Sequence, residues 1–209
     1  MALFITAWFR RARLRKYSSR LATAFVPLHD IRTAIVILDG SDPDCLACCS
    51  KMENFLKRNG VSVSAVFIDL HKKKKDTPVY VTGENVITGN GVNWFGMPRL
   101  KKTGHLFSSG ADLLVNLRDS DDYTGDFISK TVQAKFRIGT CDYAGNPFDL
   151  IVAGKSGDNA AGAGNTPEDN DAAAGTSGDN AGLPDGVPDN VCDTSEKIDT
   201  ICNFLKQIV

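Results

Sequence analysis

The chain has 209 residues, 42% of them hydrophobic and 23% charged, with a formal net charge of −1. That length allows one domain with appendages, and that composition is enough to build a packed core. The near-neutral charge gives no ground for specific nucleic-acid binding. Six cysteines in a chain of this size, three of them at positions 45, 48 and 49, argue against a small disulfide-stapled fold and read as thiols in a reducing, cytoplasmic compartment.

Residues 1–28 read as a basic N-terminal helix. Gly and Pro are absent before Pro27, and an apolar start through Phe9 gives way to Arg10, Arg11, Arg13, Arg15, Lys16 and Arg20, with no acidic residue before Asp30. A secretory signal has the opposite order, and the apolar run is far short of the roughly 20 residues that span a bilayer. The expectation is therefore no cleaved signal and no transmembrane segment. Two readings stay open for this helix. It packs along the domain with its arginines solvated, or it lies on the inner membrane face, with Trp8 and Phe9 in the interface and Arg10, Arg11, Arg13, Arg15 and Lys16 against anionic headgroups.

Residues 29–154 carry the core pattern. Thr33–Leu38 is a continuous β-branched run, as expected of a strand covered on both faces. Asp42 and Pro43 then fit the N-cap and first turn of a helix that runs to Asn59 and stops at Gly60. Its apolar stripe is Cys45, Cys48, Cys49, Met52, Phe55 and Leu56. Cys45-Leu-Ala-Cys48 has the C-x-x-C spacing of a thiol redox site at a helix start, so Cys45 and Cys48 are redox candidates. The same two residues also complete the core-facing stripe, and the structural reading is favoured. No metal site or cofactor is called for.

Val61–Leu70 is the second long strand, and a strand–helix–strand order implies a right-handed parallel unit. Lys72–Lys75 reads as a solvated loop. Val79–Thr88 reads as an edge strand or hairpin, and Asn93-Trp94-Phe95-Gly96 as a loop whose aromatics either plug the sheet end or stack on a ring. Ala111–Leu117 is a third core strand, Asp122–Val132 its return helix, and Phe136–Ile138 and Phe148–Val152 two further strands. Residues 155–192, rich in Gly, Ala, Asn and Asp, have too little apolar material to fold and read as a disordered insert. Residues 193–209 form a final helix with the stripe Ile198, Ile201, Cys202, Leu205 and Ile208, which must pack on the core.

These elements give an α/β fold: a three-layer sandwich with a mostly parallel, Rossmann-like sheet, plus the basic N-terminal helix and the C-terminal helix. Open α/β sheets bind ligands at the carboxyl ends of their strands. The ligand-binding candidates are therefore Asp39, Ser41, Trp94, Asn116, Arg118 and Asp119, with a small anionic ligand (a nucleotide or sugar phosphate) as the class suited to Arg118. No catalytic set follows from spacing alone, and the favoured function is non-enzymatic.

Val92-Asn-Trp-Phe-Gly-Met-Pro98, Ala111-Asp-Leu-Leu-Val-Asn-Leu117 and Ala134-Lys-Phe-Arg-Ile-Gly139 resemble a small bacterial family described as a domain of unknown function, whose members begin with a basic helix and carry an Asn-Trp-Phe-Gly-x-Pro motif. The resemblance covers most of residues 1–152 and the final helix. It implies a bacterial source and an α/β fold, and it brings no activity or catalytic residue. The stretch from Asp112 to Gly139 is also similar to the strand–helix–strand rhythm in the N-terminal half of heptosyltransferase-type glycosyltransferases. Those enzymes have two Rossmann-like halves and this chain has length for one, so that likeness bears on fold alone.

Overall fold

The computed structural model describes residues 2–71, 78–152 and 193–208. The lysine run at 72–75 and the low-complexity stretch at 155–192 lie outside the described residues. In chain order the elements are α1 (Ala2–Tyr17), β1 (Thr33–Asp39), α2 (Cys45–Arg58), β2 (Ser62–Asp69), β3 (Val86–Thr88), α3 (Leu100–Thr103), β4 (Ala111–Asn116), α4 (Tyr123–Thr131), β5 (Ala134–Gly139), β6 (Leu150–Ile151) and α5 (Asp193–Gln207).

The six strands form one sheet in the order β3-β2-β1-β4-β5-β6, and every pairing in it is parallel. The expected Rossmann-like architecture is therefore present, with the sheet wholly parallel among the described residues. The order reverses between β1 and β4, which makes the gap above those two strands the topological switch point.

Both faces of the sheet are covered, as the unbroken apolar run of β1 requires. Ala34, Val36 and Leu38 point to one side, where they join Met52 and Leu56 of α2 and Ile198, Ile201 and Leu205 of α5. Ile35 and Ile37 point to the other, with Ile128 of α4 and Phe107. Alternate residues of one strand thus serve two separate cores. The stripe predicted for 193–209 is buried against the α2 side, and Lys51 fixes α5 there by donating to the Ser195 carbonyl (3.1 Å) and pairing with Asp199 (2.8 Å).

Several boundaries differ from the sequence pattern. The basic helix ends at Tyr17, short of the predicted stretch, because the chain is drawn across the amino ends of the strands: Ser19 N–H donates to the Lys130 carbonyl and Ala24 N–H to that of Lys135. The second helix begins at Cys45 with Asp44 at its N-cap, two residues later than expected. Asp42 instead caps a turn, accepting from Asp44 N–H at 2.9 Å. The stop at Gly60 is as expected, with φ +77° in the left-handed region that suits glycine. The stretch expected as strand or hairpin at 79–88 contributes the three residues of β3, paired in parallel to Phe67–Asp69, and forms no hairpin among the described residues.

α1 packs on α4. Tyr17 meets the Phe127 ring at 5.9 Å, and Phe9 stacks on Phe95 at 4.2 Å. Arg10 Nε donates to the Phe95 carbonyl (2.8 Å), and its guanidinium covers the Tyr123 ring at 4.8 Å. The Asn-Trp-Phe-Gly loop is therefore the clasp that joins the N-terminal helix to the domain. Asn93 Oδ1 holds the loop closed by accepting from the N–H groups of Phe95 and Met97, and the Gly96 carbonyl accepts from Thr124 Oγ1 at 2.6 Å.

Candidate functional site

At the switch point a cleft of about 300 Å³ opens above β1 and β4. Its floor is Leu38 and Leu117, its α2 wall is Cys45 and Cys48, and Thr194 of α5 closes one side. Asp39, Ser41, Asp42, Asp119 and Ser120 supply its polar rim. The structure thus brings Asp39, Ser41, Asp119, Cys45 and Cys48 of the sequence candidates to one cavity.

The polar groups here are largely engaged with one another. Ser41 Oγ donates to Asp39 Oδ1, and Asp39 Oδ2 accepts from Arg118 at 3.4 Å. Arg118 is 6% exposed, and its other terminal nitrogen is paired with Asp122, the N-cap of α4. Burial works against ionisation of Asp122, but Arg118 and the Gly125 N–H outweigh it and hold the carboxyl below its ordinary value. Gly125 makes room for this pair, since a Cβ there would lie 2.8 Å from Arg118 Nη1. Asn116 is buried, donating to Ser129 Oγ (3.1 Å) and accepting from Arg118 N–H (3.1 Å). Asp119 accepts from the buried Lys197 of α5 at 2.8 Å. The polar exit of β4 therefore stitches β1, α4 and α5 together.

The consequence for ligand chemistry is a matter of charge. Three carboxylates (Asp39, Asp42, Asp119) line the cleft and, among the described residues, no cationic side chain does. The helix N-terminus that receives phosphate in dinucleotide folds is here preceded by Asp42 and Asp44, whose charges oppose an anion. Arg118, the residue that suggested an anionic ligand, is turned inward on two acids.

The thiols are equally unpromising as nucleophiles. Burial raises the Cys45 thiol above its ordinary value, and Asp42 and Asp39 push it the same way, opposite to the depressed value that thiol exchange uses. Cys49 is pushed up to about 12 by burial and Glu53.

Trp94 is not at the cleft. It stands 88% exposed, edge-on to Phe95 at 5.0 Å, beyond the Phe9–Phe95 stack. Trp8 of α1, 72% exposed, is the next residue to Phe9. The α1 cations divide into two groups. Arg10 and Arg13 are half-buried over aromatic rings, Arg13 at 4.9 Å from Phe9. Arg11, Arg15 and Lys16 are exposed, and among the described residues none pairs with a carboxylate. Ile5, Trp8, Arg11, Ala12 and Arg15 share the outward side at helical spacing. The split between inward and outward arginines was not legible in the sequence, because it depends on where Tyr123 and Phe95 stand. No described helix is long and apolar enough to cross a membrane.

The chain belongs to a family of unknown function (DUF6913), whose model matches residues 5–161. That match spans the Asn-Trp-Phe-Gly-Met-Pro clasp and all six strands. No curated protein and no solved structure matches the chain.

Proposed function

We propose that this member of the family is a non-enzymatic protein that docks reversibly, through α1, on an anionic membrane surface such as the inner face of the bacterial membrane. One observation carries the reading: Trp8, beside Phe9 in α1, and Trp94, edge-on to Phe95, both stand in water, and Arg11, Arg15 and Lys16 of the same helix are exposed and pair with no carboxylate among the described residues. Exposed indoles are costly in water and favoured at the headgroup level of a bilayer, where the ring is buried and the N–H stays hydrated. Each cation near an anionic surface contributes about 1 kcal/mol. Three cations with partial burial of Trp8 and Ile5 give about 5–6 kcal/mol, which corresponds to a dissociation constant of about 0.1 mM lipid. That magnitude supports salt-sensitive docking and falls well short of permanent anchoring. The non-enzymatic part of the reading is supported by the mutual engagement of the cleft's polar groups.

The chain contains two tryptophans, and both are in this patch. Their emission should therefore shift to the blue with phosphatidylglycerol vesicles at low salt and stay put with phosphatidylcholine vesicles. Arg11→Glu with Arg15→Glu should abolish the shift, and Trp8→Ala should weaken flotation about tenfold. An unchanged spectrum with anionic vesicles at low ionic strength would remove the proposal.

A second reading is favoured by the position of the cleft at the switch point. Its carboxylate rim suits an amine or a polyol better than the nucleotide or sugar phosphate that Arg118 suggested. Thermal shifts with polyamines and sugars, set against sugar phosphates, would separate the two charges, and no shift with any of them ends this reading.

A further inference from the structure

A second cavity, of about 540 Å³, lies where the end of α1 meets α3 and the end of α4. Its polar lining is the opposite of the switch-point cleft. Tyr17, Lys101, His105, Ser108 and Gln133 surround it, and among the described residues no carboxylate does. Among the described residues, the Lys101, His105, Ser108 and Gln133 side chains and the Tyr17 hydroxyl have no hydrogen-bond or ion-pair partner. Thr131, in the same wall, has an Oγ1 shut off from solvent and also without a partner. Lys101, His105, Ser108 and Gln133 are exposed to solvent and Thr131 Oγ1 is the buried, unpartnered group among them, so the cavity offers an acceptor-rich ligand a set of donors that no protein group engages.

Further cations lie close to the lining residues in the chain. The Lys16 ammonium sits 5.5 Å over the Tyr17 ring, and Lys102 and Arg20 are exposed nearby in the chain. The donors come from three separate stretches of chain, Tyr17, the 101–108 segment and Gln133, which suits a tetrahedral anion with three terminal oxygens better than a flat carboxylate with two. Leu100 and Phe107 give the cavity an apolar side, and its volume exceeds what a bare anion fills.

We propose that this cavity binds a phosphate monoester, with Lys101 and His105 on the phosphoryl oxygens, the Tyr17 and Ser108 hydroxyls completing the shell, and the organic part against Leu100 and Phe107. The monoester is either that of a soluble metabolite or the headgroup of an anionic lipid. The site does not depend on bilayer docking, because the four groups assigned to the phosphoryl oxygens, Tyr17, Lys101, His105 and Ser108, are not among the residues of the Trp8–Trp94 patch.

The test uses the full chain. Glycerol 3-phosphate is titrated by calorimetry, with glycerol as the control. Saturable binding is expected, weakened at least tenfold in the Lys101→Ala, His105→Ala double variant and several-fold in Ser108→Ala. The double variant should still float on phosphatidylglycerol vesicles within twofold of the parent chain. Absence of glycerol 3-phosphate binding, or equal binding in the double variant, overturns the site. Vesicles of matched surface charge identify the source. A preference for phosphatidic acid over phosphatidylglycerol that disappears in the double variant supports the site and assigns a lipid headgroup. Equal flotation on both, with glycerol 3-phosphate binding retained, supports the site and assigns a soluble monoester. Glycerol 3-phosphate binding without any vesicle binding leaves the site standing and removes the bilayer proposal alone.

Discussion

Removing the Arg118 guanidinium would leave Asp39 and Asp122 at the end of β4 without their shared counter-charge. Breaking a buried pair from one side typically costs about 3–5 kcal/mol, and the partial exposure of both acids brings this nearer 3. Arg118→Ala should therefore lower the urea midpoint sharply, and a midpoint within error of the parent would show that the pair contributes nothing. Asp112 presents the acid counterpart at the other end of the strands. It accepts from the N–H groups of Arg32 and Thr33 and pairs with Lys135 at 2.7 Å. The Lys135 hydrogen bond is the main cause of a carboxyl pKa lowered from 3.8 to about 2. A depressed acid lends stability that is complete above its unfolded value and is lost as pH falls through the folded one, so this contribution should fade between about pH 4 and pH 2. Allowing for solvent screening it is worth about 1 kcal/mol, and Asp112→Asn should remove it at neutral pH and flatten the acid limb of the stability profile. Cysteine alkylation tests the thiols. Buried Cys45, Cys49 and Cys202, all raised by burial, should react on the unfolding timescale, whereas half-exposed Cys141 should label sooner. Rapid native labelling of Cys45 would reopen thiol chemistry at the cleft. At this scale the sequence shows that Asn116, Arg118 and Asp119 leave a strand together. It does not show their partners, Ser129, Asp122 and Lys197, because two of those sit on helices whose placement the pattern leaves open.

β5 ends against a ring. A Cβ on Gly139 would fall inside the Phe148 side chain, which lies over the end of that strand. Gly139→Ala should cost about 1–3 kcal/mol by overpacking and displace β6, and Phe148→Ala should relieve much of that penalty in the double variant. Additive losses in the cycle would show that the contact is not the cause. Elements with strong periodicity were readable: the α2 stripe from Cys45 to Leu56 is buried apart from the half-buried Phe55, and the α5 stripe from Ile198 to Leu205 is buried as its spacing implies. Elements defined by long-range contacts were not. β3 is defined by its parallel pairing to Phe67–Asp69 of β2, and α1 gives way after Tyr17 to a stretch whose Ser19 and Ala24 N–H groups donate to the carbonyls of Lys130 and Lys135. The sequence places the aromatic pair at 94–95 in a loop without showing what it packs on. Its partner Phe9 lies 86 residues away, and nothing local could supply it.

For the whole molecule, a parallel unit followed from the strand–helix–strand order, but the sequence of strands across the sheet did not. Crossover handedness restricts each connection without saying on which side of β1 the later strands are laid. The placement of α5 is the larger addition. Ile198, Ile201, Cys202 and Leu205 are all buried against the layer that α2 covers. At about 1.5–3 kcal/mol for each large apolar side chain, their removal approaches the 5–15 kcal/mol that holds an ordinary domain together. A chain ending at residue 154 should therefore fail to give a cooperative thermal transition, and a peptide of residues 193–208 added in trans should restore one; a sharp transition in the truncated chain alone would show that α5 is dispensable.

The position of α5 also sets a timetable for synthesis. Chains leave the ribosome amino end first, at about 5–20 residues per second. β1, α2 and β2 are made early, yet the side of α2 that packs on α5 gains its cover only when residues 193–208 emerge, well over a hundred residues later. For at least several seconds in each round of translation the nascent chain carries a nearly finished sheet with one greasy side open. That interval is when a chaperone has something to hold.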